Sequence, residues 1–563
     1  MFKVRYFNSF SFSNAKTTLW KALLGFALKV GTVASGVVFS LPAPAQIPTY
    51  DLVLRNARIV DGSGKPAYRS DVAISGDAIV SIAPAITADA RRIIDVGGQV
   101  LAPGFIDVHN HARTRRGIFQ HPTADNFVRQ GITTVIDGPD GSSPVPLAPF
   151  LRQLAALPKS LNIGAFIGQG SVRTAVLGRV NRPASAEEID KMRGIVEQGM
   201  RDGAFGLSSG LEYVPGTYAP LEEIAELAKA SGRLGGHYQS HIRGEGMSVV
   251  TAVREAIAVG ERGGLPVQIT HHKMVGRGAW GKSVETLRLV DQARARGLDV
   301  TIEQYPYTSA HISNQLPAWA LEGSREDALN RLKNPEQRAR IKADVVRRLR
   351  VGGAGGDLTK IVILHCPWDS SLDGKNLSDV AQLRGYKANP EEGSEAVLWL
   401  FEQGDCERMQ RNVMSDADVE RILKHPATMI ASDGEIPLGL GDPHASPAHP
   451  RDYGAFVRVL AVYVRERKVI KLEEAIRKMS ALPAQRLGLR DRGSIRTGMK
   501  ADLVVFDPAR VRDAATFDKP HQYAEGVPLV IVNGEVVFEN GAMTAARPGK
   551  VLYGPAAALG KTP

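Results

Sequence analysis

Two cysteines, Cys366 and Cys406, are all that 563 residues contain, and that scarcity removes whole classes of protein. Their spacing fits no cysteine-based metal knuckle, and a disulfide-dense scaffold would need many more. In an oxidising compartment the two can pair. As buried thiols they would simply pack, and spacing does not choose. Neither is a candidate metal ligand. Long Lys/Arg blocks interleaved with aromatics are missing too, which excludes a nucleic-acid footprint. No internal repeat or low-complexity tract points to a solenoid or a disordered chain. What remains, 43% hydrophobic and 23% charged, has the balance of a globular protein with a sizeable core. One large barrel plus a small companion domain fits this length.

Acidic residues are absent from the first 46 positions, which carry Lys3, Arg5, Lys16, Lys21 and Lys29. An apolar run, VGTVASGVVFSL, follows, and then Pro42 and Ala43-Pro44-Ala45. A basic region, an apolar region and an A-x-A site predict an export signal over 1–45, cleaved after Ala45. A membrane anchor is the alternative, but the run falls short of the ~20 residues that span a bilayer. The expected mature protein is periplasmic or secreted, with no stable membrane anchor. Removing those five charges takes the formal net charge from +11 to +6, a modest surface excess that leaves room for anionic substrates.

Residues 46–103 read as short alternating strands (YDLVLRNARIV, DVAISGDAIVSI, ARRIIDVGGQVLAP) broken by Gly, Pro and Ser. Similar texture returns over 484–563 in GSIRTGMKADLVVFDP and PLVIVNGEVVFENG. Between them, over 104–483, apolar strand-like runs alternate with amphipathic helices: ITTVID, LNIGAFIG, GAFGLSSG, GGHYQSHI, PVQITHHK, DVTIEQYPY. That alternation predicts parallel βα units. Eight of them close into a barrel whose functional groups sit at the carboxyl ends of the strands. From about 317 to 424 the chain is helical and charged, interrupted by KIVILHC. This stretch reads as late barrel units with a helical insertion that covers the site.

Chemistry-bearing side chains fall at the predicted strand ends. His109 and His111 in GFIDVHNH share a parity, so two imidazoles face one side of the barrel mouth, and imidazole suits zinc. Asp140 follows ITTVID, His241 ends GGHYQSHI, and His271 or His272 ends VQIT. Strand parity lets only one of that pair face the mouth, together with Lys273 if it is His271. Asp433 follows TMIAS. Hydrolysis by an activated water needs a carboxylate that takes a proton and returns it to the leaving amine, and Asp433 is the candidate. Each alone has an ordinary structural reading; their recurrence at successive strand ends is what points to a metal centre.

These segments resemble the amidohydrolase superfamily, and within it the N-acyl-D-amino-acid deacylases, from about Tyr50 to Asn540. The resemblance extends to GAFGLSSGLEYVPGTYA, HYQSHIRGEG, THHKMVG, EQYPYTS, ASDGE and HPRDYGAF. It implies an α/β fold: a distorted (β/α)8 TIM-type barrel beside a small β-sandwich formed from both chain ends. It also implies metal ligands at His109, His111, His241 and His271, with the first histidine of HHK chosen, and the catalytic acid-base at Asp433, itself among the ligands. Residues matching Lys273, Tyr305 and Arg451 hold the substrate carboxylate. Where the family has a metal-binding cysteine this chain has Asp140. A carboxylate can bridge two divalent ions, so zinc is expected but one or two ions remain open. Glu212 in SGLEY is a further possible ligand or a hydrogen-bond acceptor. No lysine occurs in GAFGLSSGLEY, which counts against superfamily branches that use a carboxylated bridging lysine. The expected reaction is hydrolysis of a small N-acyl-D-amino acid. The alternatives are a cyclic amidase or dipeptidase on the same scaffold, or an exported binding protein without turnover.

Overall fold

The computed structural model describes residues 50–560 apart from 313–314, 438 and 443–444; the expected export signal lies outside the described residues. The chain begins with β1 (Tyr50–Ile59), β2 (Tyr68–Ser75), β3 (Ala78–Ala83), β4 (Ala90–Asp95) and β5 (Val100–Pro103). β1 pairs antiparallel with β2 and parallel with β4 and β5.

The barrel follows. Its strands are β6 (Phe105–Asp107), β7 (Ile132–Asp137), β8 (Asn162–Ala165) continued after Phe166 by β9 (Ile167–Gly168), β10 (Gly206–Gly210), β11 (His237–His241), β12 (Val267–Ile269) and β13 (Val300–Gln304). Neighbours pair in parallel throughout. Every residue of these strands is buried, as expected where helices cover one face and barrel packing fills the other. The helices are started by sequence-encoded caps. Ser185 and Glu188 form a capping box at the head of Ala186–Asp202, satisfying two backbone donors reciprocally.

After β13 the chain leaves the barrel. β14 (Ala310–Ile312), β15 (Ile361–His365) and β16 (Glu407–Gln410) form a separate antiparallel sheet in the order β14-β16-β15. Four longer helices, Arg325–Lys333, Pro335–Val351, Leu377–Leu383 and Pro390–Gln403, surround it. This lobe has its own apolar core, including Ile341, Ile363, Val380 and Leu398. KIVILHC was expected among the late barrel units; it is β15, in the lobe. Strand-like hydrophobicity reveals that a strand exists and not which sheet adopts it. Cys366 and Cys406 form a disulfide inside this lobe, across 40 residues of sequence.

The helix Asp416–Lys424 returns the chain to the barrel, and β17 (Thr428–Ile430) pairs in parallel with β13. Just past it the ring closes. Asn110 and Gly434 form a parallel bridge, Asp433 N–H donates to the His109 carbonyl at 3.1 Å, and His111 N–H to the Gly434 carbonyl at 2.8 Å. Below this seam the Asp107 carboxylate accepts from the Ser432 amide at 3.0 Å and from its hydroxyl. Finally β18 (Leu503–Phe506), β19 (Leu529–Val532), β20 (Glu535–Glu539) and β21 (Ala542–Met543) join β5 to complete a nine-stranded sheet. Leu54, Ile74, Leu101, Leu503 and Ile531, drawn from both chain ends, pack into one cluster within it.

Candidate metal centre and active site

Each candidate ligand sits where a parallel strand runs out. His241 is the last residue of β11; His109 and His111 lie just past β6, Asp140 past β7, His271 past β12 and Asp433 past β17. Three of them, Asp140 (φ 55°), His271 (φ 29°) and Asp433 (φ 50°), have left-handed backbone. Such non-glycine residues cost of order 1–3 kcal/mol and persist only where surrounding structure imposes them. The kinks turn the side chains inward. Gly210, at the end of β10, makes room for one of them: a Cβ there would lie 2.2 Å from the Asp140 carbonyl oxygen.

The side chains converge. His109 Nε2 is 3.3 Å from Asp433 Oδ1 and 3.6 Å from Asp140 Oδ2. His111 Nε2 is 3.1 Å and 3.6 Å from the same two oxygens. On the other side, Asp140 Oδ1 is 3.6 Å from both His241 Nδ1 and His271 Nε2, and those nitrogens are 2.9 Å apart. Asp140 therefore lies between two pairs of imidazoles. His109, Asp140, His271 and Asp433 offer ligand atoms all within 4.8 Å of one another, and so do His241, Glu245 and His271.

The donor set fits a divalent ion on two physical grounds. His109 Nε2 and Asp140 Oδ1 are buried without a hydrogen-bond partner, a loss of about 1–3 kcal/mol each unless something satisfies them. The carboxylates also draw positive charge to this point. Burial opposes protonation of His111 and His241, yet Asp140 and Asp433 lift His111 to about 9, and Glu245, Asp140 and Glu212 lift His241 to about 10. Burial opposes ionisation of Asp433 as well, but Arg451 and His109 hold it well below the usual carboxylate range.

Two acids that the sequence reading did not single out complete the frame. Glu303, fully buried on β13, hydrogen-bonds His109 Nδ1 and Gln268 Nε2, and accepts from the His271 amide at 3.3 Å. A carboxylate on Nδ1 fixes the tautomer that leaves Nε2 free to ligate. Glu245 lies 2.9 Å from His271 Nδ1 and pairs with Lys273 Nζ at 2.6 Å, and that ammonium is itself 2.7 Å from Nδ1. A lone acid within the strand VTIEQ is a legible signal; Glu245 lies on a loop whose path no periodicity predicts. His272 turns away, to Thr286 Oγ1 at 2.8 Å, so the first histidine of the pair is the one at the mouth.

Lys273, Tyr305 and Arg451 form one wall. The Lys273 ammonium and the Arg451 guanidinium lie 5.5 Å and 4.9 Å from the Tyr305 ring centre. Arg451 also donates to Asp433 Oδ2 at 2.6 Å. Tyr305 OH and Arg451 Nε are buried with no partner. Glu212 stands further out, its Oε2 3.6 Å from His241 Nε2 and its Oε1 accepting the Glu245 amide at 3.2 Å. All of these residues open onto a cavity of about 770 Å³.

A barrel with imidazoles and carboxylates at its carboxyl rim defines a metal-dependent amidohydrolase. Residues 363–538 match the amidohydrolase family model. The D-aminoacylase of Alcaligenes xylosoxydans xylosoxydans is 34% identical over 529 residues, covering 89% of this chain and 97% of that protein. The solved N-acyl-D-glutamate deacylase of Bordetella bronchiseptica, complexed with zinc and a phosphonate mimic of the tetrahedral intermediate, is 29% identical. It superposes with TM-score 0.77 over 90% of this chain and 99% of that one. A D-aminoacylase structure described for the role of its binuclear metal centre gives 0.76 at 32% identity, covering 90% and 100%. The chain belongs to the N-acyl-D-amino-acid deacylase branch of the amidohydrolases.

Proposed function

We propose that this protein hydrolyses the amide bond of N-acyl-D-amino acids, releasing a carboxylate and a free D-amino acid, with zinc as its metal. The observation that carries the reading is the convergence of four imidazoles with Asp140 and Asp433 around buried, unpartnered ligand atoms. His109, His111, His241, His271 and Asp140 would hold one or two ions, with Asp433 completing the set; the chemistry such an ion would supply there is Lewis acidity toward the amide carbonyl and a more acidic attacking water. Asp433 accepts that water's proton and delivers it to the departing nitrogen. Lys273, Tyr305 and Arg451 orient the substrate through its free carboxylate, which gives the unpartnered Tyr305 hydroxyl and Arg451 Nε an acceptor; the planar guanidinium suits a two-pronged grip. A substrate carboxylate competes with Asp433 for Arg451 and so frees the acid-base group as it binds. Preference for the D-enantiomer and for zinc is supported by the relatives' activities and bound metal.

An exported, periplasmic or secreted location is part of the proposal. It is supported by the basic-apolar-small pattern over 1–45 and by the Cys366–Cys406 disulfide, since disulfides persist in oxidising compartments. Incubating the zinc-loaded protein with N-acetyl-D- and N-acetyl-L-amino acids and measuring amine release tests the reaction. Release from the D-series is expected; cleavage of a hydantoin or dipeptide with neither series touched would replace this reading with the cyclic-amidase or dipeptidase alternative.

A further inference from the structure

A second cavity, about 520 Å³, adjoins the first beneath the inserted lobe. The two share Glu212, Tyr213, Val214 and Arg348 as a common wall. The Tyr213 hydroxyl is 3.1 Å from His241 Nδ1, so the passage begins beside the metal ligands. Its lining includes buried apolar residues, Leu316, Ala328 and Phe401, which are 2%, 1% and 5% exposed, beside Thr217, Ser324 and Asp405.

Guanidiniums interrupt that apolar surface. Arg243 is neutralised by a forked bond to Glu255, at 2.8–3.0 Å, and Arg325 is spent on the Phe401 and Glu402 carbonyls. Arg179 and Arg348 differ. Among the described residues neither makes a side-chain hydrogen bond or an ion pair, and both line this cavity. Elsewhere on the lobe Arg338 is matched by Glu395 and Glu402 and Arg350 by Glu391, while Arg340 and Arg384 lie over the Trp319 and Trp399 rings. A channel that combines apolar side chains with two solvent-facing guanidiniums lacking a hydrogen-bonded partner, Arg348 within the field of Glu212 and Asp344, fits a ligand with an apolar stem and an anionic end.

An N-acyl amino acid held by its carboxylate at Lys273, Tyr305 and Arg451 places its acyl group beyond the scissile carbonyl, away from that wall. We propose that the second cavity is the acyl subsite, and that it takes acyl chains of several carbons ending in a carboxylate, with the methylenes against Leu316 and Phe401 and the terminal charge at Arg179 and Arg348. This rests on the deacylase reading. Hydrolysis of such a substrate breaks the amide C–N bond, with water giving OH to the acyl carbon and H to the nitrogen. The products are a dicarboxylate and a free D-amino acid.

The test compares N-acetyl-, N-hexanoyl- and N-glutaryl-D-methionine on the zinc-loaded protein. The glutaryl substrate is expected to have the highest kcat/KM. Its ratio to acetyl is expected to fall about ten- to a hundredfold in Arg348→Gln and in Arg179→Gln, the worth of a charge-assisted hydrogen bond. Hydrolysis of acetyl at least as fast as glutaryl, with that ratio unmoved in both variants, overturns the subsite and leaves the deacylase reading standing. Calorimetric binding of free glutarate separates the two when nothing is cleaved. Binding weakened by Arg179→Gln keeps the subsite and ends the deacylase reading; no binding ends the subsite.

Discussion

Strand β11 carries a histidine at each end, and the two live in opposite electrostatic worlds. His237, at the amino end, packs edge-on against Phe166 with ring centres 5.2 Å apart, and burial followed by the field of Arg486 pushes it down to about 3. His241, four residues later at the other end of the strand, is as deeply buried but faces Glu245, Asp140 and Glu212, and is lifted to about 10. The same residue type on the same strand is a neutral packing element at one rim and a cation-seeking ligand at the other. Burial is common to both; the carboxylates at the carboxyl rim make the difference.

Removing the acid-base group at the functional rim gives the largest effect. Asp433→Asn should lower turnover by about 10²–10⁴ while elemental analysis finds the metal retained; loss of metal would make Asp433 chiefly a ligand. Proton linkage tests the rim next. With His111 lifted to about 9 and His241 to about 10, both are protonated at pH 7 in metal-stripped protein, and metal uptake displaces their protons. Affinity should therefore rise with pH up to about 9, by as much as about a hundredfold per pH unit for two protons. Calorimetry in buffers of different ionisation enthalpy counts them, and zero release breaks the contrast with His237.

Glu303→Gln probes the support beneath the rim. It keeps the shape but weakens the hold on His109 Nδ1, and should raise the metal dissociation constant about 10–100-fold with the circular dichroism spectrum unchanged. The smallest effect belongs to the amino rim. His237 stays neutral in the fold down to about 3, whereas the unfolded residue protonates near 6.5. Its contribution is complete above that value and is lost as pH falls, by about 1.4 kcal/mol per unit. Urea denaturation at pH 7 and pH 5 should show this slope, and His237→Leu should flatten it.

The carboxyl rim was readable in the sequence because chemistry there must follow strand ends, and strand ends follow apolar runs closed by turns. His109, His111, His241 and Asp433 are all visible in that way. The pairing of His271 with Lys273 came from strand parity, yet β12 stops at Ile269. The two residues meet, Nζ 2.7 Å from Nδ1, because His271 adopts a left-handed turn. Glu245 was not legible, since its place depends on how a loop folds back over the rim. The inserted lobe was read as partly barrel because a strand's hydrophobicity does not name its neighbours. The cysteine pairing, left open by spacing, depends on β15 and β16 lying side by side, a contact across the lobe that no local signal carries.

The seam between β6 and β17 has a consequence for biogenesis. His111 and Asp433 are 322 positions apart, and the segments bearing them are the two edges whose bridge closes the ring. Until the polypeptide has been synthesised past Gly434, the ring stays open and the rim lacks Asp433. A chain that ends before that point keeps the four histidines and Asp140 but has neither Asp433 nor the Asn110–Gly434 bridge that closes the ring.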